Sequence, residues 1–147
     1  MPSFQRKGRL AWVLTLLACA QAGAQTLPAA DPALEVRGRW RIEQARTEPI
    51  YDRALARLEF GADGRLSGHT SCNTLKAAYV LEGQRLRIEP ISTTKQRCGR
   101  LQLEQEDRIL SALELAATAR VRPDGLLELR EADGRGVLRA TRVPAGD

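Results

Sequence analysis

From residue 36 onward the chain is a succession of short segments in which apolar and polar residues alternate, separated by tight turns. Eight segments carry the pattern: RGRWRIEQA around Trp40, ALARLEF ending at Phe60, RLSGHTSC, AAYVLE, RLRIEP, ARVRP, LLELRE and GVLRATRV. Within them Leu58 alternates to Phe60, Tyr79 to Leu81, Leu86 to Ile88 and Leu127 to Leu129. A period of two places one face of each segment in a core and the other in water, as in half-buried antiparallel strands. Asp63-Gly64, Asp124-Gly125 and Asp133-Gly134 sit between such segments, and Asp-Gly is a strong hairpin signal; Glu82-Gly83-Gln84 supplies a further turn.

One segment breaks the rhythm. LQLEQEDRILSALELAATA, residues 101–119, contains neither Gly nor Pro and is built from good helix formers. Leu103, Leu110, Leu113 and Ala117 follow helical spacing, with Glu104, Asp107 and Glu114 on other faces. The expected architecture is therefore mostly β (α+β): an antiparallel sheet of about eight short strands, curled or barrel-like, with one helix at about 101–119 packed against it.

The first residues have a different character. Arg6, Lys7 and Arg9 precede a short apolar run at 10–18 and a small-residue stretch, CAQAGAQ. This is the pattern of a secretory signal, and the apolar run is less than half the roughly 20 residues a membrane-spanning helix needs. Ala22-Gly23-Ala24 offers a cleavage site that would release a chain beginning at Gln25. Leu16-Leu17-Ala18-Cys19 also resembles a lipobox, which makes Cys19 a candidate lipidation site and a membrane-anchored lipoprotein the alternative to a soluble periplasmic protein. Residues 1–24 are read as the signal, 25–35 as an Ala/Pro-rich linker, 36–143 as one domain and 144–147 as a tail.

Export changes two other readings. The formal charge of +5 falls to +2 once Arg6, Lys7 and Arg9 are removed, and the remaining aromatics, Trp40, Tyr51, Phe60 and Tyr79, are scattered. Nucleic-acid binders carry a basic stripe with stacking aromatics, so that class is set aside. Arginines alternating with glutamates in LRIEP and LELRE read as a solvated sheet face. Beyond the signal only Cys72 and Cys98 remain, and an even count in an oxidising compartment reads as a disulfide.

The stretch from Arg65 to Cys72 holds the chain's one histidine three residues before a cysteine. If the whole stretch is a strand, Leu66, Gly68, Thr70 and Cys72 face inward, while Arg65, Ser67, His69 and Ser71 face water. That geometry separates His69 from Cys72, against a Cys–His dyad. One histidine and two cysteines also fall short of the four ligands of a structural zinc site. The carboxylates of LEQEDR read as a solvated helix face. There is no Gly-rich phosphate loop, G-x-S-x-G elbow or His-Glu-x-x-His. The expectation is no catalytic residue, no metal and no cofactor.

The order of these motifs resembles the META domain of the HslJ-like family, over about 36–143. The residues carrying the resemblance are Trp40, Phe60, Gly64, Gly68, Cys72, Asn73, Tyr79, Thr94, Cys98, Glu104, Glu106, Leu110 and Leu113. Ser71 stands where the family prefers Gly, Leu75 where it often has Phe, Ala77 where Gly is usual, and Gln96 and Leu103 where Met is usual. The resemblance implies a small β-rich domain with one helix, exported to the bacterial envelope, with no settled molecular activity and a loose association with heat-shock or stress response and antibiotic tolerance. Cys72–Cys98 would then staple the third strand to the segment before the helix, and Asn73 would be a turn residue capping backbone groups.

The resulting expectation is a non-catalytic, monomeric, stress-associated binding or structural module whose partner is an unidentified envelope protein or cell-wall component. It would meet a membrane only if lipidated at Cys19. A periplasmic inhibitor or chaperone-like module is the alternative. A thiol redox enzyme is disfavoured, because such pairs usually sit as Cys-x-x-Cys at a helix start.

Overall fold

The computed structural model describes Met1 and residues 31–144. The signal, Cys19 and most of the linker lie outside the described residues. In chain order the elements are α1 (Pro32–Val36), β1 (Gly38–Ala45), β2 (Glu48–Pro49), β3 (Arg57–Phe60), β4 (Arg65–His69), β5 (Thr74–Glu82), β6 (Arg85–Ile88), β7 (Ser92–Thr93), α2 (Arg100–Leu115), β8 (Thr118–Val121), β9 (Leu127–Arg130) and β10 (Gly136–Arg142). The sheet runs β10-β9-β8-β6-β5-β4-β3-β1, every pair antiparallel, and closes because β10 also pairs with β1. The result is an eight-stranded barrel, with β2 added beside β1 and β7 beside β5. Closure leaves no long free edge. The eight barrel strands are the eight alternating segments of the sequence; the two outer ones, each two residues long, are too short to show a period.

Three hairpins are built from one turn. At 61–65, 122–126 and 131–135 the first residue's N–H donates to the carbonyl of the fifth, and the glycine N–H donates back to the carbonyl of the first. The aspartate Oδ1 accepts the backbone N–H two residues on, from Arg65, Leu126 and Arg135 respectively. Gly64, Gly125 and Gly134 have φ of 76°, 81° and 88°. This three-residue loop with a glycine bulge is why Asp-Gly recurs in the sequence.

The barrel interior is filled by Trp40, Ile42, Leu58, Phe60, Leu66, Leu75, Leu127, Leu129 and Leu138, all fully buried. Gly68 faces Leu58 across the β3–β4 pair, and a Cβ there would lie 2.4 Å from the Arg57 carbonyl oxygen. Only glycine allows the strands to approach this closely. Tyr79 packs edge-on against Phe60, ring centroids 5.1 Å apart, and donates its hydroxyl to the Gly61 carbonyl at 2.6 Å. Burial pushes its phenol pKa up.

Residues 32–35, expected to end a linker, form α1 together with Val36. Asp31 caps it by accepting the Ala33 N–H, and Pro32 occupies a first-turn position. Val36 is fully buried and its carbonyl accepts the Trp40 indole N–H at 2.8 Å. Arg142 of β10 lies 4.1 Å over the Trp40 ring and donates to the carbonyls of Glu35 and Arg37. This joins a cation–π contact to the end of the helix.

The helix also differs from expectation. α2 ends at Leu115, because the Ala117 N–H bonds the Arg130 carbonyl and β8 begins at Thr118. Its buried stripe is Gln105, Glu106, Ile109, Ala112 and Leu113, so Leu103 is exposed and Leu110 lies at the margin. Its first turn holds no acidic residue; Gln102 Oε1 accepts the Gly99 N–H at 2.8 Å instead. α2 contacts β1, β9 and β10 and covers the barrel end that carries the β4–β5 turn.

Glu128 corrects the reading of LELRE as a solvated face. It projects outward between Leu127 and Leu129, yet only 3% of it is exposed. Arg120 and Arg130 cover it, both bonding Oε2, at 2.8–3.0 Å and 3.0 Å. Burial alone would raise its pKa, but the two guanidinium hydrogen bonds outweigh this and hold the carboxyl below the ordinary glutamate range. A depressed folded-state pKa contributes stability above the unfolded-state value, and that contribution is lost as pH falls through the folded-state value. Glu128→Gln is therefore expected to cost about 2 kcal/mol near neutral pH, the scale of charge-assisted bonds. Urea titrations should show the gap between wild type and variant narrowing below about pH 4; a gap independent of pH would refute this account.

Candidate functional site

The residues singled out from the sequence separate in space into two groups. Trp40, Phe60, Gly68 and Tyr79 belong to the barrel core and its close approaches. Cys72, Asn73, Thr94, Cys98 and Glu106 converge beneath α2 at one end of the barrel, together with Thr70, Ser71 and Gln105.

The convergence begins with the β4–β5 turn. β4 stops at His69, and the Thr70 N–H bonds the Asn73 carbonyl at 2.9 Å, leaving a two-residue loop, Ser71-Cys72. Ser71 has φ 82°, the feature of a turn whose first loop position suits glycine. The family preference for glycine at this position has its physical cause here. Thr70 Oγ1 accepts the N–H of Cys72 and of Asn73, at 3.3 and 3.0 Å, and stiffens the loop from within.

Because the strand ends at His69, the expected alternation fails after it. Ser71, placed on the solvent face by the strand reading, is buried, as are Thr70 and Cys72. His69, expected in open water, is half-buried, and its Nδ1 accepts the Ser71 N–H at 2.9 Å. It does stand apart from the cysteine, which is bonded to Cys98 with the two Cα atoms 5.9 Å apart. That bridge ties the 94–98 segment, just before α2, to the turn. A disulfide of this kind fits an oxidising, extracytoplasmic compartment.

Asn73 connects the turn to everything around it. Its Oδ1 accepts the Thr94 hydroxyl and the Gln96 N–H, both at 2.8 Å, the second being the backbone capping expected of it. Its Nδ2 donates to both Glu106 carboxylate oxygens, at 3.1 and 3.0 Å. Glu106 Oε2 also accepts the Thr70 hydroxyl at 2.5 Å. The Glu106 carboxylate, 9% exposed, is thus held by two neutral donors.

Gln105, the preceding residue, was not legible as part of a site. It is fully buried; its Nε2 donates to the Thr70 carbonyl and to Ser71 Oγ, both at 2.9 Å. Its Oε1 accepts the Tyr51 and Asp52 N–H groups at 2.7 and 3.1 Å. The reading of LEQEDR as a solvated face therefore fails at both Gln105 and Glu106. Extending the register of Ile109, Ala112 and Leu113 back by one turn reaches 105 and 106, a signal that was present but carried polar residues. Glu104, by contrast, is on the surface and pairs with Arg100 at 2.7 Å.

Ser71 offers a test of the turn. Its hydroxyl donates to the Asp52 carbonyl at 2.8 Å and accepts from Gln105. Ser71→Ala keeps the strained φ and loses both bonds, an expected cost of about 2 kcal/mol. Ser71→Gly loses the same bonds but relieves roughly 1–2 kcal/mol of left-handed strain, so its net change should be under about 1 kcal/mol. Thermal or urea unfolding that ranks alanine at or above glycine would show that the positive φ is not the controlling feature.

What the cluster can do chemically is limited by its own bonding. The cysteines are joined, the Glu106 oxygens are engaged by Asn73 and Thr70, and all four of Gln105's bonds go to the chain. Among the described residues no group of three or more His, Cys, Asp or Glu side chains is placed to hold a metal ion.

Comparison with known proteins agrees with the fold. A protein from Burkholderia xenovorans solved by NMR superimposes with a TM-score of 0.61 at 19% identity, covering 90% of this chain and 100% of its own. A second NMR structure matches with a TM-score of 0.53 at 21% identity, covering 71% of this chain and 88% of its own. The crystal structure of a DUF4847 family protein from Bacteroides vulgatus gives 0.55 at 12% identity, covering 76% and 96%. At these identities the likenesses speak for the barrel alone. No curated protein matches the chain significantly. The model of the META domain matches residues 32–144, which takes in the barrel, both helices and the disulfide-linked cluster. This chain belongs to the META domain family.

Proposed function

We propose that the protein is a non-catalytic, exported binding or structural module of the bacterial envelope, associated with stress and soluble in the periplasm after cleavage before Gln25. The observation that carries the reading is the closed bonding of the cluster under α2. Its cysteines, carboxylate and amides engage one another and the backbone, which suits a rigid scaffold better than a reaction centre. The disulfide and the signal-like residues 1–24 both favour export. Among the described residues no helix is long and apolar enough to cross a membrane, and lipidation at Cys19 would be the route to an anchored form.

Two measurements test this. The intact mass of the protein recovered from its native envelope should correspond to a chain starting at Gln25, with thiol alkylation only after reduction. A lipid-shifted mass beginning at Cys19 would replace the soluble form with the anchored one, and two freely alkylated thiols would revive redox chemistry. Incubation of the purified protein with cell-wall fragments, followed by mass spectrometry, should return the fragments unchanged; their turnover would overturn the non-catalytic reading.

A further inference from the structure

Away from the cluster, the outer face of β3, β4 and β5 bears a valley of about 420 Å³. That volume falls within the range of small-ligand sites, roughly 300–1,000 Å³. The strand register builds it. Leu58, Gly68 and Leu75 are cross-strand neighbours, and both leucine side chains turn into the core, at 1% and 0% exposure. This row therefore presents little but backbone to the outside. One residue to one side, Glu59, Ser67 and Lys76 form a parallel row, with Arg39 beyond Glu59. One residue to the other side, Arg57, His69 and Thr74 form a second. Residues two apart on a strand are about 7 Å apart, so the two rows are walls with a bare floor between them.

The walls have a definite chemistry. Arg57 and Lys76 outweigh Glu59 by one charge, Arg39 being drawn to the Pro144 carbonyl at 3.3 Å, and the Lys76 ammonium forms no ion pair among the described residues. Arg57 is oriented by a bond from Nη2 to the Ala54 carbonyl at 3.1 Å. The Ser71 N–H donated to His69 Nδ1 leaves the ring proton on Nε2, which makes the ring a donor toward the valley. Ser67 and Thr74 add hydroxyls, and Glu59 an acceptor. Besides Leu55 at the Arg57 side, the valley's apolar surface is that of the strand floor and of the aliphatic stems that carry the Arg39, Arg57 and Lys76 head groups, so its apolar parts are ringed by charge.

We propose that this valley binds a short acidic peptide, which crosses the three strands with its carboxylates on Arg57 and Lys76. Cationic excess selects the carboxylates, and the mixture of hydroxyls, an imidazole donor and a carboxylate acceptor complements the alternating N–H and C=O groups of a peptide. The proposal rests on the binding-module reading and names the chemistry of the partner.

The test is a titration of ¹⁵N-labelled full-length mature protein with N-acetylated Ala-Glu-Ala-Glu, followed by amide chemical shifts. Shifts are expected to concentrate at 57–59, 67–69 and 74–76 and to weaken as salt rises. Lys76→Glu and Arg57→Ala should each weaken binding at least tenfold, and Arg139→Glu, on a different face, should leave it unchanged. Retained dispersion in the spectra of these surface variants separates lost binding from lost folding. Equal response to Ala-Gln-Ala-Gln, a response to decanoate matching that of the peptide, or no shifts in the valley would each overturn the proposal. Shifts confined to another face would also sink this site while leaving the binding-module reading intact. Cleavage of the peptide would instead overturn the non-catalytic reading, whatever the shifts report.

Discussion

Asn73→Ala should lower the unfolding free energy by about 3–5 kcal/mol, the combined cost of losing bonds to a buried carboxylate and of leaving a hydroxyl and an N–H without their acceptor. The substitution removes a side chain that is 2% exposed and bonds three segments at once. Its amide is the principal donor to Glu106, so without it the carboxylate keeps only the Thr70 hydroxyl. The Thr94 hydroxyl and Gln96 N–H lose their acceptor in the same step. Urea unfolding near neutral pH measures the loss, and a cost below about 1 kcal/mol would mean that water satisfies the cluster. Asn73→Asp sharpens the test. It keeps the acceptor for Gln96 but sets a second carboxylate against Glu106, so near neutral pH it should destabilise at least as much as alanine does.

Removing the disulfide, by Cys72→Ser with Cys98→Ser or by reductant, should cost about 3.5 kcal/mol. This follows from the chain-entropy cost of closing a loop across 26 residues. The bridge does not hold the 94–98 segment by itself, because Thr94 and Gln96 are also bonded to Asn73. The two devices act on one segment, so their losses should not add. The combined Cys72→Ser, Cys98→Ser, Asn73→Ala variant is expected to lose measurably less than the sum of the separate costs. Strict additivity would show that bridge and amide stabilise independent parts of the fold. A disulfide effect below about 1 kcal/mol would assign the loop to Asn73 alone.

The two predictions lie at the same end of the barrel, and this bears on function. A staple and a polar clamp fix α2 across that end, apart from the outer wall of β3–β5, where the Lys76 ammonium forms no ion pair among the described residues. Arg57 and His69 lie one strand-row from the clamp, since His69 bonds the turn at Ser71 while lining the valley. The clamp thus orients one wall of the proposed binding surface.

The barrel strands were legible because their information is local. A period of two places Leu58 and Phe60 on one side of β3 whatever the strand's neighbours, and Asp-Gly specifies its hairpin through three bonds within five residues. The family membership was legible for a related reason: Trp40, Gly68, Cys72, Asn73 and Cys98 recur in a fixed order along the chain. The cysteine pair followed from counting the cysteines that remain once the signal-like residues are set aside.

The polar residues were misplaced where their surroundings come from elsewhere in the sequence. Glu106 reads as a surface carboxylate until Asn73 and Thr70, more than 30 residues away, supply its donors. Glu128 looks solvated until Arg120 arrives from the neighbouring strand. Ser71 belongs to a strand's outer face only if β4 continues, and it is the turn beneath α2 that ends it. β2 and β7 exist because adjacent strands offer them bonds, not because two residues carry a pattern. By itself, then, the sequence determined the alternating strands, the turns, one helix, the disulfide partners and the family. Those properties depend on periodicity, backbone preference and residue identity. Tertiary structure alone decided that the sheet closes on itself, which polar side chains are buried, and which charges remain free to meet a partner. Burial and pairing are set by what packs against a residue, and the packing brings together positions that no local pattern connects.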